Sequence, residues 1–146
     1  MIELTPSQTE YLIAIFEVSK NNEITITNIS KHLNYSKPSV VRALKTLDNL
    51  KLINYANKIT ITETGKTYIN NILRKDSILQ IFFTDVLKID KKIAIRDSEN
   101  IKNSVSCYTI TKLEQYLKKT LNIETIDIDN YCINNNPCIN CKGKQE

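Results

Sequence analysis

The 146-residue sequence predicts a mainly α-helical fold with one small β-hairpin. Two patterns predict it. Apolar residues recur every three or four positions through long stretches, as in Val40, Leu44, Leu47 and Leu50. Strict apolar–polar alternation is confined to Lys58-Ile59-Thr60-Ile61-Thr62. With Leu52-Ile53-Asn54-Tyr55, it gives two strands around a two-residue Ala56-Asn57 turn.

The first helix runs from Ser7 to about Lys20. Thr5 or Ser7 caps it, and Tyr11, Leu12, Ile15 and Phe16 form its apolar face. Asn21-Asn22 ends it, and Ile24-Thr25-Ile26 reads as a brief extended piece. Thr27 to Leu33 is a short helix with Ile26, Ile29 and Leu33 on one side. Asn34-Tyr35 makes a tight turn, with Tyr35 filling the core edge or touching a nucleic-acid backbone. Ser36 is the N-cap of a third helix, and Pro38 fits its first turn, where no backbone N–H is needed. Helix, short helix, helix and hairpin in this order make a winged helix-turn-helix. Thr62 or Thr64 then caps a long helix to about Val86, with Ile69, Ile72, Leu73, Leu79, Phe82, Phe83 and Val86 inward. Asp90 and Ser98 cap two short helices. Thr109 to Leu121 forms the last, with Ile110, Leu113, Leu117 and Leu121 on one face. The expected organisation is a DNA-binding domain over 1–75, a helical dimerisation domain over 76–130 and a Cys-containing tail over 131–146.

Charge is unevenly spread. The formal charge is +4, and residues 1–75 carry all of it, with 10 Lys/Arg against 6 Asp/Glu. Between residues 31 and 58, Lys31, Lys37, Arg42, Lys45, Lys51 and Lys58 face Asp48 alone. Such a patch beside a neutral remainder is the footprint of a nucleic-acid-binding surface, and it is also the composition of a solvated lysine-rich face. With 17 Lys, 3 Arg, 23 Ile and 17 Asn, part of the lysine excess reflects an AT-rich coding bias.

Other classes are disfavoured. The longest apolar runs are a few residues, too short to span a membrane. The N-terminal MIELTPSQ lacks a basic region ahead of an apolar stretch, so a cytoplasmic location is expected. There is no GxGxxG or P-loop, one His (His32, read as a surface residue), and no nucleophile–base pair, so the chain is not expected to be an enzyme.

On the third helix, Lys37, Ser39, Arg42, Lys45 and Thr46 oppose the leucine stripe. Ser36, Lys37 and Pro38 stand at the N-terminus, the end of such a helix that enters the major groove. Arg42 is the candidate for base readout, because a guanidinium can pair bidentately with guanine. Lys31, Lys45 and Lys58 at the hairpin tip are candidates for phosphate contacts.

At these residues the sequence resembles the iron- and manganese-dependent repressors of the diphtheria toxin repressor type. The matching segments are Leu4-Thr5-Pro6-Ser7, Tyr11-Leu12, Ile15-Phe16, Ser36-Lys37-Pro38-Ser39-Val40 and Thr62-Glu63-Thr64-Gly65-Lys66. Arg74-Lys75-Asp76, Phe82-Phe83-Thr84-Asp85-Val86 and Asp97-Ser98-Glu99-Asn100-Ile101 extend the likeness into the second half. The resemblance implies a homodimeric regulator whose winged helices bind a palindromic double-stranded operator under control of a manganese or iron ion. It also implies a short form without the C-terminal barrel of longer members.

Carried over by position, the implied metal site is altered. Glu10, Asp76 and Glu99 stand at ligand positions, Asp76 where the family has His. Ile13 replaces a Glu, Lys102 and Asn103 replace a Glu-His pair, and Gln80 and Ile95 fall at ancillary ligand positions. Three carboxylates without an imidazole suit a hard cation better than iron(II), for which they make a poor site. One expectation is that the Lys102 ammonium sits among these carboxylates in place of an ion; the other is that it points to solvent.

Cys107, Cys132, Cys138 and Cys141 are the only cysteines, and in a cytosolic chain they read as thiols or ligands rather than disulfides. Cys138-x2-Cys141, completed by Cys132 and Cys107, permits a structural zinc or an iron–sulfur cluster. A redox-active dithiol and thiols without function are the other readings. The functional expectation is a sequence-specific DNA-binding regulator linked to metal or redox status. The alternatives are a dimeric interaction scaffold, or a metal- or redox-binding protein, that has lost specific DNA binding.

Overall fold

A computed structural model of the chain describes residues 3–122. The tail cysteines Cys132, Cys138 and Cys141 lie outside the described residues. The fold is mainly helical, with the elements α1 (Pro6–Asn21), α2 (Ile26–Leu33), α3 (Lys37–Asn49), β1 (Ile53–Tyr55), β2 (Ile59–Ile61), α4 (Glu63–Ile81), α5 (Lys91–Ile101) and α6 (Cys107–Leu121). A π-helical segment, Phe82–Val86, extends α4. Two compact units divide between Ile69 and Asn70, within α4.

In the first unit α1, α2 and α3 contact one another pairwise, and β1 lies against α3. Thr5 caps α1 in a reciprocal box with Gln8, which satisfies two backbone donors that the helix leaves open. Thr25 caps α2 through the Asn28 amide, so Ile26 begins the helix instead of ending an extended piece. Asn34 closes α2 in the left-handed conformation (φ 56°, ψ 39°), which Asn tolerates better than most residues. Leu12, Ile15, Ile29, Val40, Leu47, Leu52, Ile53 and Ile69 are fully buried, each worth about 2 kcal/mol relative to exposure. Exposed His32 lies in the last turn of α2.

The hairpin pairs Ile53 with Ile61 and Tyr55 with Ile59, which leaves Ala56, Asn57 and Lys58 in the connection. The turn therefore has three residues rather than two, and Lys58 belongs to it. The hairpin is tied down at its base. Thr62 donates its hydroxyl to the Lys51 and Leu52 carbonyls and accepts from the Gly65 amide, so Thr62 is the cap of α4. The helix passes so close to the Leu52 carbonyl that a Cβ on Gly65 would stand 2.0 Å from its oxygen.

The second unit packs Ile78, Leu79, Ile110 and Leu117 into a core, flanked by Phe82, Phe83, Val86, Leu113 and Leu121. The wide π turn, in which the Leu87 amide donates to the Phe82 carbonyl, lets the adjacent rings of Phe82 and Phe83 both reach that core. Asp90 caps α5 by accepting from the Lys92 amide. Ser98 lies inside α5, so one helix stands where two short ones were expected; Ser98 is fully buried and its hydroxyl serves the packing with α4. Ser106 caps α6, which starts two residues earlier than the apolar spacing indicated.

Arg74 on α4 donates to Glu114 and Thr111 on α6, and Lys118 pairs with the same Glu114 carboxylate at 3.1 Å. Burial alone would push the Glu114 carboxyl up. The hydrogen bonds and charges of Arg74 and Lys118 outweigh it and hold the group below its usual range.

Two tests follow from these contacts. Gly65→Ala should destabilise the first unit by about 2–4 kcal/mol through overpacking against backbone, read as a lower urea midpoint. The depressed Glu114 pKa means that the unfolded chain binds the proton more tightly. The stability it contributes is present above about pH 4.3, the ordinary glutamate value, and is lost as pH falls through the lower native value. Glu114→Gln should therefore be less stable than the parent at pH 7 and lose less stability on acidification below about pH 5, measured by urea unfolding across pH.

Candidate nucleic-acid interface

The candidate surface is built on α3. Ser36 accepts from the Ser39 amide and donates to the Ser39 hydroxyl at 2.9 Å, which fixes the first turn. The Arg42 guanidinium lies 3.4 Å from that same Ser39 oxygen, and the Thr46 hydroxyl turns back onto the Arg42 carbonyl. Ser36, Lys37, Pro38, Arg42 and Lys45 are exposed, whereas Ser39 and Thr46 are half-buried. Val40, Leu44 and Leu47 hold the opposite stripe in the core.

An open groove of about 830 Å³ runs between the N-terminal ends of α2 and α3, lined by Ile26, Thr27, Lys37, Pro38, Val41 and Arg42. Its floor is apolar and its rim cationic. The N-terminal dipole ends of α2 and α3 add to the positive potential there, although Thr25 and Ser36 cap the Asn28 and Ser39 amides. The patch's one acid is directed elsewhere: Asp48 accepts from the Tyr55 amide at 3.0 Å and so fastens the hairpin to α3. That role had no signal in the sequence, where Asp48 counted only as a charge. The groove residues Ile26, Thr27 and Val41 also escaped the sequence reading, since apolar spacing marked them only as core or neutral. Lys58 is exposed in the hairpin connection, away from α3 in the chain but in the same unit.

Tyr35 lies outside the core, 41 % exposed, with its ring 5.7 Å from that of Tyr11. Its hydroxyl donates to both oxygens of Glu10, at 3.1 and 3.2 Å. That hydrogen bond and the Glu10 charge raise the Tyr35 pKa, so the phenol remains a neutral donor.

In the second unit Asp76 accepts from the buried Ser98 hydroxyl at 2.7 Å and from the Gln80 amide at 2.9 Å. Glu99 is exposed, and Lys102 is the half-buried C-cap of α5. Among the described residues no ion pair joins Lys102 to Asp76 or Glu99. The partners of Asp76 are thus a neutral hydroxyl and amide, not the Lys102 ammonium. Within each unit, among the described residues, no three His, Cys, Asp or Glu side chains gather as metal ligands would. Glu10, Asp76 and Glu99 bring no imidazole, and Glu10 and Asp76 each already accept hydrogen bonds from neutral side chains of their own unit, so these residues do not make an iron(II) centre. The i,i+4 spacing of Asp76 and Gln80 was readable in the sequence; the Ser98 contact, 22 residues away, was not. Cys107 is a half-buried thiol at the first residue of α6. No helix among the described residues is long and apolar enough to cross a membrane.

Residues 62–122 match the family described as iron dependent repressor, metal binding and dimerisation domain. An uncharacterised helix-turn-helix transcriptional regulator of Methanocaldococcus jannaschii is 28% identical over 120 residues, 80% of this chain and 96% of that one. The crystal structure of a hypothetical Sulfolobus solfataricus protein superposes with a TM-score of 0.69 at 25% identity, over 80% of this chain and 91% of that one. The manganese regulator SloR shares the fold at 22% identity and a TM-score of 0.67, over 79% of this chain and 55% of its own. This chain therefore spans nearly all of the two archaeal proteins and about half of SloR. The chain thus joins a winged helix-turn-helix to a segment, residues 62–122, that matches the iron dependent repressor, metal binding and dimerisation domain, and it shares its fold with the manganese regulator SloR.

Proposed function

We propose that this protein is a homodimeric, sequence-specific DNA-binding transcriptional regulator that represses from a palindromic operator in the cytoplasm. One observation carries the reading. The outer face of α3 presents Lys37, Arg42 and Lys45 to solvent, Lys37 and Arg42 beside a cationic groove, and the only acid of that helix is turned into the hairpin. Arg42 reads a base edge, Lys37, Lys45, Lys31 and Lys58 neutralise phosphates, and Ser36, Pro38, Ser39 and Thr46 set the helix against the duplex. The second unit supplies the dimer contact. Its exposed apolar residues Leu87, Ile93, Ile101, Tyr108 and Tyr116 support this, as does its match to a dimerisation domain. Two recognition helices related by a two-fold axis read two half-sites. A zinc ion or iron–sulfur cluster held by Cys107, Cys132, Cys138 and Cys141 is the proposed link to metal or redox status.

The test is a selection of genomic fragments by the purified full chain, followed by affinity measurements across salt. Arg42→Ala should weaken the selected site by about 10- to 100-fold and relax its sequence preference. Lys58→Ala should weaken all sequences alike and reduce the slope of log K against log salt by about 1. Selection of no sequence, with Arg42→Ala and Lys37→Ala both silent in the assay, would favour the interaction scaffold.

A further inference from the structure

Two of the three surviving family carboxylates, one in each unit, are held alike, while the third, Glu99, is exposed. In the first, Glu10 receives the Tyr35 hydroxyl on both oxygens. In the second, Asp76 receives the Ser98 hydroxyl on one oxygen and the Gln80 amide on the other. Both sets of donors are uncharged and come from the carboxylate's own unit. Ser98 is fully exposed to neither water nor ions, with no accessible surface. The position that the family fills with an imidazole holds a carboxylate, and a Lys and an Asn stand where a further Glu and His would be.

A divalent ion exchanges bound water for several converging oxygen or nitrogen ligands, and one carboxylate alone recovers little of that hydration free energy. At Asp76 the ion would also have to displace two hydrogen bonds, one of them to a side chain shut off from solvent. Hydrogen bonds to a charged acceptor are among the stronger ones in proteins. We infer that Glu10 and Asp76 are internal braces rather than metal ligands, with Tyr35, Ser98 and Gln80 supplying in protein hydrogen bonds what an ion supplies in the metal-dependent relatives. The α4–α5 contact is then permanently made, and DNA binding does not respond to manganese or iron(II) through these carboxylates. This last consequence rests on the DNA-binding reading; the assignment of the carboxylates does not.

The decisive experiment needs no DNA. Mn(II), a hard cation that thiolates hold weakly, is titrated into the full chain by calorimetry, with the thermal midpoint followed in parallel. The expected result is no saturable binding tighter than about 1 mM and no rise in midpoint. Tyr35→Phe and Ser98→Ala should each lower the midpoint with or without Mn(II), because each leaves a carboxylate short of a donor. A saturable site tighter than that limit, abolished by Asp76→Asn or Glu10→Gln, would overturn the inference. Binding that both variants leave intact lies elsewhere in the chain and upholds it. Failure to bind any DNA, by contrast, bears on the proposed function and leaves this result standing.

Discussion

Three consecutive side chains on α4 hold the second unit together. Arg74 reaches α6 through Glu114 and Thr111, Lys75 donates to the Val105 carbonyl at 2.5 Å in the segment before α6, and Asp76 accepts from Ser98 on α5. Consecutive helical residues diverge around the axis, so one tripeptide can address three neighbours. The apolar core of Ile78, Leu79, Ile110 and Leu117 gives the free-energy gain but tolerates sliding; hydrogen bonds of defined direction set the register in which the helices pack. The same arrangement explains why a half-buried Glu114 stays ionised, since it is met by two cations.

The first unit solves a different problem, which is to keep a cationic face exposed while burying its support. Caps at Thr5, Thr25 and Ser36 fix where the three helices begin, and Asn34 in the left-handed region sets the turn between the second and third. Thr62 and Gly65 bring the chain back against the Leu52 carbonyl, and Asp48 joins the hairpin to α3. Those polar contacts leave Lys37, Arg42 and Lys45 without an acidic neighbour on their own helix face, so the potential there is not neutralised from within α3.

Much of this was legible in the sequence. Caps and apolar spacing are local signals, and they gave α1, α3, α4, α6 and the hairpin close to their observed bounds. Errors arose where a residue type has two uses. Ser98 reads as a cap because serine favours that position, yet in a buried setting its hydroxyl serves Asp76. Ala56-Asn57 reads as a two-residue turn, but the observed register puts Lys58 in the connection as well. The exposed basic residues of α3 followed from the leucine stripe, whereas the groove beside them depends on how two helices meet. The Tyr35–Glu10 contact joins residues 25 apart and has no local signature.

If the recognition helix and the dimer act together as argued, the most direct measurement is hydroxyl-radical footprinting of the full chain on a selected DNA fragment. Two equivalent protected patches related by a two-fold axis are expected, their centres about 10 base pairs, or a multiple of that, apart. A single asymmetric patch, or uniform protection along every sequence, would contradict it.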